Sequence, residues 1–208
     1  MSNLSQVILA LQPDPRLSES EPAPSPVYHA TEERILEAAL RLIGRRGVKR
    51  LGMQEISEAA GVSRGTLYRY FPSKDHVVAA AADYDERRFT DGLDQALATA
   101  DDPGQRIRTF LAYAFAFIRT HPARSLFESE PEYVMSYLLD HLPALRGSLV
   151  DQLGAELDAV PAVVRGDLSR DELADLIVRL FASSWIIPES DDRTLVQSIN
   201  NVLLPPPR

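Results

Sequence analysis

The feature that most limits the folds open to this chain is its hydrophobic period. Between about residue 31 and residue 204, apolar side chains recur at spacings of three and four, and no stretch alternates cleanly over strand length. A period near 3.6 puts such residues on one helical face, whereas a half-buried strand needs a period of two. The expected fold class is therefore all-α.

Start and stop signals divide this body into helices. Thr31 is expected to cap the first, with Glu32 and Glu33 at its positive end and Ile35, Leu36, Ala39, Leu40 and Ile43 on one stripe. Arg45, Arg46 and Gly47 end it. A short second helix runs from about Met53 to Ala60 and stops at Gly61, and a third runs from Ser63 to Phe71-Pro72. Ser73 caps a fourth reaching about Ala98, and Asp102 with Pro103 opens a fifth that ends near His121-Pro122. A short helix over Ser125 to Ser129 precedes one opened by Pro131, which Pro143 is expected to kink or break before it resumes toward Leu157. Val160 to Gly166 reads as a loop. Ser169 and Glu172 have capping-box spacing at the head of an apolar helix to about Ile187, and Ser190 caps the last helix.

Composition narrows the class further. The chain has 208 residues, 45% hydrophobic and 25% charged, which is the average of a globular protein and excludes a collagen-like repeat. With no Cys, a disulfide scaffold, Cys-ligated zinc, an iron-sulfur cluster and thiol catalysis are all excluded. No apolar run approaches the roughly 18 residues needed to span a bilayer. Val7 to Leu11 lacks the basic segment and cleavage site of a signal peptide, so a soluble, cytoplasmic protein without membrane contact is expected. Residues 1–30, with five prolines from Pro13 to Pro26, read as a disordered arm, and residues 205–208 as a tail.

The chemistry concentrates between the second and third helices. Ala60-Gly61-Val62-Ser63 has the length of a helix-turn-helix connection, in which Gly61 supplies positive φ and Ser63 caps the third helix. Ile56, Ala59, Val62 and Leu67 are expected to form the small core. That leaves Arg64, Gly65, Thr66, Tyr68, Arg69 and Tyr70 on the outer face of the third helix. Such a surface suits a DNA groove: Arg bonds guanine bidentately, the Thr methyl meets thymine, Tyr hydroxyls reach phosphates, and Gly65 permits close approach. A formal charge of −8 opposes this only on average. Residues 31–76 hold nine Lys or Arg against six Asp or Glu, a net of +3, and the remainder holds 13 against 24, a net of −11.

The segments Arg34-Ile35-Leu36-Glu37-Ala38-Ala39-Leu40 and Ile56 through Lys74 resemble the TetR family of bacterial transcriptional repressors. The resemblance covers roughly residues 31–78. It implies a three-helix DNA-binding head over 31–76 and a larger helical domain over 77–204 that dimerises and binds a small effector. It also implies that Arg64, Gly65, Thr66 and Tyr68 face bases and nearby phosphates, while Tyr70 and Lys74 hold the backbone. The family often carries Thr or Ser just before the second helix, where this chain has Leu51 and Gly52. Arg45, Arg46, Lys49 and Arg50 lie near enough to compensate.

The same residues admit other readings. Gly61-Val62-Ser63-Arg64-Gly65 satisfies the G-x-S-x-G pattern of a hydrolase nucleophile, but that motif needs a strand before the serine. No catalytic residue is therefore assigned, and no cofactor. His29, His76, His121 and His141 form no pair at metal-binding spacing, so no metal is expected. A helical interaction module without DNA binding, an activator and a regulator without effector are the alternatives.

In the larger domain, Phe110, Tyr113, Phe117, Phe127, Tyr133, Tyr137 and Trp185 are the candidate ligand-binding residues. Tyr113 and Phe117 share a helical face, as do Tyr133 and Tyr137, and these faces can enclose a largely apolar cavity with a few hydroxyls. The two C-terminal helices are apolar enough to build a four-helix interface about a twofold axis. The expected function is thus a homodimeric repressor on a palindromic operator in double-stranded DNA, released by a small organic effector.

Overall fold

The computed structural model describes residues 26–187 and 192–203, and every regular element among them is helical. In chain order these are α1 Pro26–Arg46, α2 Met53–Ala60, α3 Arg64–Tyr70, α4 Lys74–Leu97 and α5 Pro103–Thr120. Then come α6 Leu126–Ser129, α7 Pro131–Asp158, α8 Pro161–Val164, α9 Arg170–Ile186 and α10 Asp192–Leu203. No described helix is long and apolar enough to cross a membrane.

The described residues fall into two compact units. One holds 26–87 with 122–137, and the other holds 88–121, 138–187 and 192–203. The first unit therefore runs past His76 to Arg87 and takes in α6 with the start of α7. Its core begins with the α1 stripe: Ile35, Leu36, Ala38, Ala39, Leu40 and Ile43 are all at most 1% exposed. Ile56, Leu67, Val77, Val78, Ala81 and Ala82 are buried in the same unit. α1 starts at Pro26 instead of at Thr31, so 26–30 is helix, and the remainder of the expected arm, 1–25, lies outside the described residues. Nothing between Val27 and Ala30 breaks a helix, and a proline fits a first turn, where its missing N–H has no partner to lose.

A second close packing joins the end of α1 to the segment after α5. The Ser125 hydroxyl donates to the Gly44 carbonyl at 2.8 Å, and Leu126 and Ala123 are buried. Gly44 is what allows this approach: a Cβ there would lie 2.8 Å from Ala123 Cα and nearer still to the Pro122 carbonyl oxygen.

In the other unit α5 is the central element, burying Ile107, Phe110, Leu111, Ala114, Phe115 and Ile118. Asp102 caps it by accepting from the Gln105 N–H at 2.9 Å, with Pro103 in the first turn as expected. Phe115 stacks on Phe181 with centroids 4.5 Å apart, and Phe110 meets the same ring edge-on at 5.8 Å. Ser169 and Glu172 form the expected capping box at the head of α9. The hydrogen bonds from the Ser169 backbone and hydroxyl hold the Glu172 carboxyl below its ordinary range. That support is complete above the ordinary carboxylate pKa and is lost as pH falls through the lowered one. Residues 188–191, which contain the expected Ser190 cap, lie outside the described residues.

Two expectations for this region are corrected. α7 passes through Pro143 and departs from helical geometry at Leu153 instead, with φ −129° and ψ 23°. The carbonyl that loses its donor to Pro143 belongs to Leu139, a residue 66% exposed, so water can satisfy it. Leu149, Leu153 and Leu157, four apart on one face, are all buried, and the departure falls beside Gly154. Between Val160 and Gly166 the chain forms a single helical turn, α8, since Pro161 starts it with a preset φ and Gly166 ends it at φ +77°.

Candidate nucleic-acid interface

The helix-turn-helix forms for local reasons. Gly61 closes α2 in the left-handed conformation, φ 64° and ψ 37°, and its N–H donates to the Glu58 carbonyl at 3.2 Å while the Val62 N–H donates to that of Ser57 at 3.0 Å. An L side chain disfavours that backbone, which is why the turn uses glycine. Ser63 is extended and accepts from the Thr66 N–H at 3.0 Å, capping α3, and its hydroxyl also bonds the Thr66 hydroxyl at 2.8 Å. The small core differs from expectation at one position. Ala59 is exposed and Ala60 is buried, because Ile56 and Ala60, four apart, share the inward face of α2. Val62 is half-buried.

Only Leu67 of the seven residues of α3 is buried. Arg64, Gly65, Tyr68 and Arg69 are exposed and Thr66 and Tyr70 half-buried, so the candidates lie together on one short helix. Arg64 Nη2 donates to the Gln54 amide oxygen at 3.2 Å, and that amide donates to Glu58 at 2.9 Å, which aims the guanidinium along α2. The Arg69 guanidinium lies 5.6 Å from the centre of the Tyr70 ring, a cation-π pair. A Cβ on Gly65 would meet nothing nearer than Ser63 Oγ at 3.9 Å, so no neighbour inside the protein requires glycine there.

Lys74 opens α4 half-buried, its ammonium donating to the Val48 carbonyl at 3.5 Å. Ser73 precedes it with its hydroxyl 2.7 Å from His76 Nδ1. Gly52 is the N-cap of α2 and makes no side-chain cap bond. Arg46 is ion-paired with Glu55, while Arg45, Lys49 and Arg50 are exposed. Ser63 follows a helix and a turn and serves as a cap, which is not the strand-to-helix elbow that the G-x-S-x-G chemistry requires.

The candidate ligand residues separate into groups. Tyr113 and Phe117 pack with Phe89, at 5.5 and 5.1 Å between ring centres, and Phe117 also meets His121 at 5.5 Å. The Tyr113 hydroxyl donates to the Arg88 carbonyl at 3.2 Å. Phe110 is buried against Phe181, and Phe127 belongs to the other compact unit. The side chains of Tyr133, Tyr137 and Trp185 lie outside the described residues. A groove of about 460 Å³ opens elsewhere, between α5 and α10, lined by Arg108, Ala112, Phe115, Ala116, Arg119, Val196, Gln197 and Asn200. Of these only Phe115 stands out in the sequence, as an aromatic. The faint signal was two alanines four apart between two arginines, which reads equally as an ordinary solvated face.

A buried anchor, a capped seven-residue helix and an outward set of Arg, Gly and Tyr define a helix-turn-helix DNA-binding regulator. The chain matches the model of the bacterial regulatory proteins of the tetR family over residues 35–81. It is 30% identical over 155 residues to the HTH-type transcriptional repressor KstR of Rhodococcus jostii, covering 74% of this chain and 68% of that protein. It is 29% identical over 171 residues to the uncharacterized HTH-type transcriptional regulator Rv1255c of Mycobacterium tuberculosis, covering 79% and 80%. Its fold also matches the crystal structure of AibR in complex with isovaleryl coenzyme A and operator DNA, with a TM-score of 0.60 and 20% identity over 85% of this chain and 99% of that one. The protein belongs to the TetR family of transcriptional regulators.

Proposed function

We propose that the protein is a homodimeric repressor that places one α3 per protomer in successive major grooves of a palindromic operator and is released by a small organic effector. The observation that carries this reading is the α3 surface itself, anchored by Leu67 and presenting Arg64, Gly65, Thr66, Tyr68, Arg69 and Tyr70 outward. Lys74 takes a phosphate by exchanging the Val48 carbonyl for it, and Arg45, Lys49 and Arg50 add positive potential around the site. The repressor name of the Rhodococcus relative supports the sign of regulation. One head contacts too little DNA for high affinity, so two related by a twofold axis read the operator. The exposed Leu176 on α9 and Val202 on α10 suit a helical interface between copies.

The functional division assigned here is a DNA-binding head over 31–76 and an effector and dimerisation part over 77–204, in a cytoplasmic protein without catalytic activity. The effector is largely apolar with one polar or anionic end, and the groove between α5 and α10 is its candidate site beside the aromatic set. Among the described residues the groove lining holds two guanidiniums and two amides, in a chain whose charge outside the head is −11. The neighbour solved with isovaleryl coenzyme A and operator DNA supports a ligand of that general character. Release requires the effector to bind the non-operator arrangement more tightly than the operator-bound one. α4 is the candidate lever, since it begins at Lys74 and contributes to both units.

The test starts from random duplexes enriched on the wild-type protein. A twofold-symmetric consensus is expected, and Arg64→Ala should weaken binding to it by about 1–3 kcal/mol, roughly five- to 150-fold, and relax the sequence at one position of each half-site. Failure to enrich any sequence would sink the reading. Gly65→Ala separates binding from folding: it should stabilise the protein by about 0.5–1 kcal/mol through helix propensity while lowering operator affinity. Chemical denaturation and a gel shift on the same sample measure both signs.

A further inference from the structure

Arg34 leaves α1 and reaches the helix-turn-helix turn. Its Nη2 donates to the Ala60 carbonyl at 2.9 Å and to the Gly61 carbonyl at 3.2 Å. The last carbonyls of any helix lack intrahelical donors. In α2 those of Ser57 and Glu58 are met by the turn's own Val62 and Gly61 N–H groups. The Ala60 and Gly61 carbonyls are instead met from another helix, because the chain has already turned away toward the extended Ser63. A guanidinium is charged at every working pH, so these bonds are charge-assisted.

The location decides what the bonds do. Arg34 itself is exposed, so they contribute little to global stability. They do tie the turn to α1, 26 and 27 residues earlier in the chain. Beyond the turn, α3 is held by the buried Leu67 and by the exposed Arg64 to Gln54 bond. A seven-residue helix is roughly 10 Å long, so a tilt of about ten degrees moves its far end by about 2 Å. Bidentate pairing between an Arg and a base does not survive such a shift, since hydrogen bonds tolerate only a few tenths of an ångström.

We propose that Arg34 is a positioning residue for operator reading: it fixes the turn to α1 and thereby sets the angle at which α3 meets the groove, without itself touching DNA. This inference rests on the DNA-reading role assigned above. Its rival is a phosphate contact, which an exposed arginine in a basic head also fits. The two differ in salt dependence, because a phosphate contact releases counterions and a tie to the protein's own carbonyls does not.

The experiment uses the duplex enriched on the wild-type protein and a scrambled duplex of the same composition. Affinities of the wild type, Arg34→Met and Arg34→Lys are measured on both across a range of salt concentrations, with melting temperatures alongside. Arg34→Met should weaken binding to the enriched duplex about tenfold, the effect of losing hydrogen bonds to a charged group. Affinity for the scrambled duplex and the slope of affinity against salt should stay as in the wild type. Arg34→Lys keeps the charge but not the fork, and should recover only part of the loss.

A slope reduced by about one per lost contact would assign Arg34 to phosphate instead. Equal losses on both duplexes, full recovery by lysine, or a lowered melting temperature with an unchanged ratio of specific to scrambled affinity would each overturn the positioning role. If the wild type enriches no duplex, the DNA-reading role falls and this inference with it. That result is distinct from a wild type that binds and an Arg34→Met that binds equally well.

Discussion

Gly44→Ala is expected to lower stability by about 2–3 kcal/mol, although alanine is the better helix former. The new methyl would meet backbone at Pro122 and Ala123, which cannot move aside as a rotamer can. Propensity alone favours the alanine by roughly 1 kcal/mol, so the measured sign shows which effect dominates. The Ser125 bond to the Gly44 carbonyl, at 2.8 Å, would be displaced with the segment. Urea denaturation of Gly44→Ala beside Gly65→Ala gives an internal control: the same substitution, again in a helix, is destabilising where backbone crowds the site and stabilising where the nearest neighbour, Ser63 Oγ, is 3.9 Å away. Equal effects at both positions would show that the close packing of 122–123 on α1 is wrong.

Leu67→Ala should cost about 2–5 kcal/mol, the range for a fully buried leucine whose cavity cannot collapse. Leu67 is 0% exposed and is the one buried residue of α3. Its loss therefore removes the anchor of α3 while leaving every outward residue in place. Specific DNA binding should disappear before the protein unfolds, because a loosened α3 no longer presents Arg64 and Tyr68 in fixed register. Denaturation and a gel shift below the melting temperature separate the two losses. Retained sequence-specific binding by a destabilised Leu67→Ala would mean that α3 is held by contacts other than its core face.

The head was legible because its signals are local. Gly61 needs positive φ, Ser63 needs only its own hydroxyl and the Thr66 N–H, and a seven-residue helix with one buried leucine declares its outer face by period alone. The sequence does not distinguish Ala59 from the buried Ala60, because two identical residues sit side by side and only packing selects one. The Leu153 departure is not legible, since Pro143 is the stronger breaker by sequence while the departure falls beside Gly154. The groove is hidden from the sequence for a similar reason: alanines four apart on α5 become a depression only once α10 lies beside them.

The helical class, the caps and the outward residues of α3 follow from local sequence, since each of these depends on neighbours within about four residues. Long-range packing places residues 122–137 in the unit of α1 to α3, brings Arg34 to the turn and holds Gly44 in close contact. Those pairings join residues from 26 to 81 positions apart, and no period or motif in the chain encodes a distance of that kind. They depend on which helical faces pack together, a choice fixed by the whole set of buried side chains and by none of them singly.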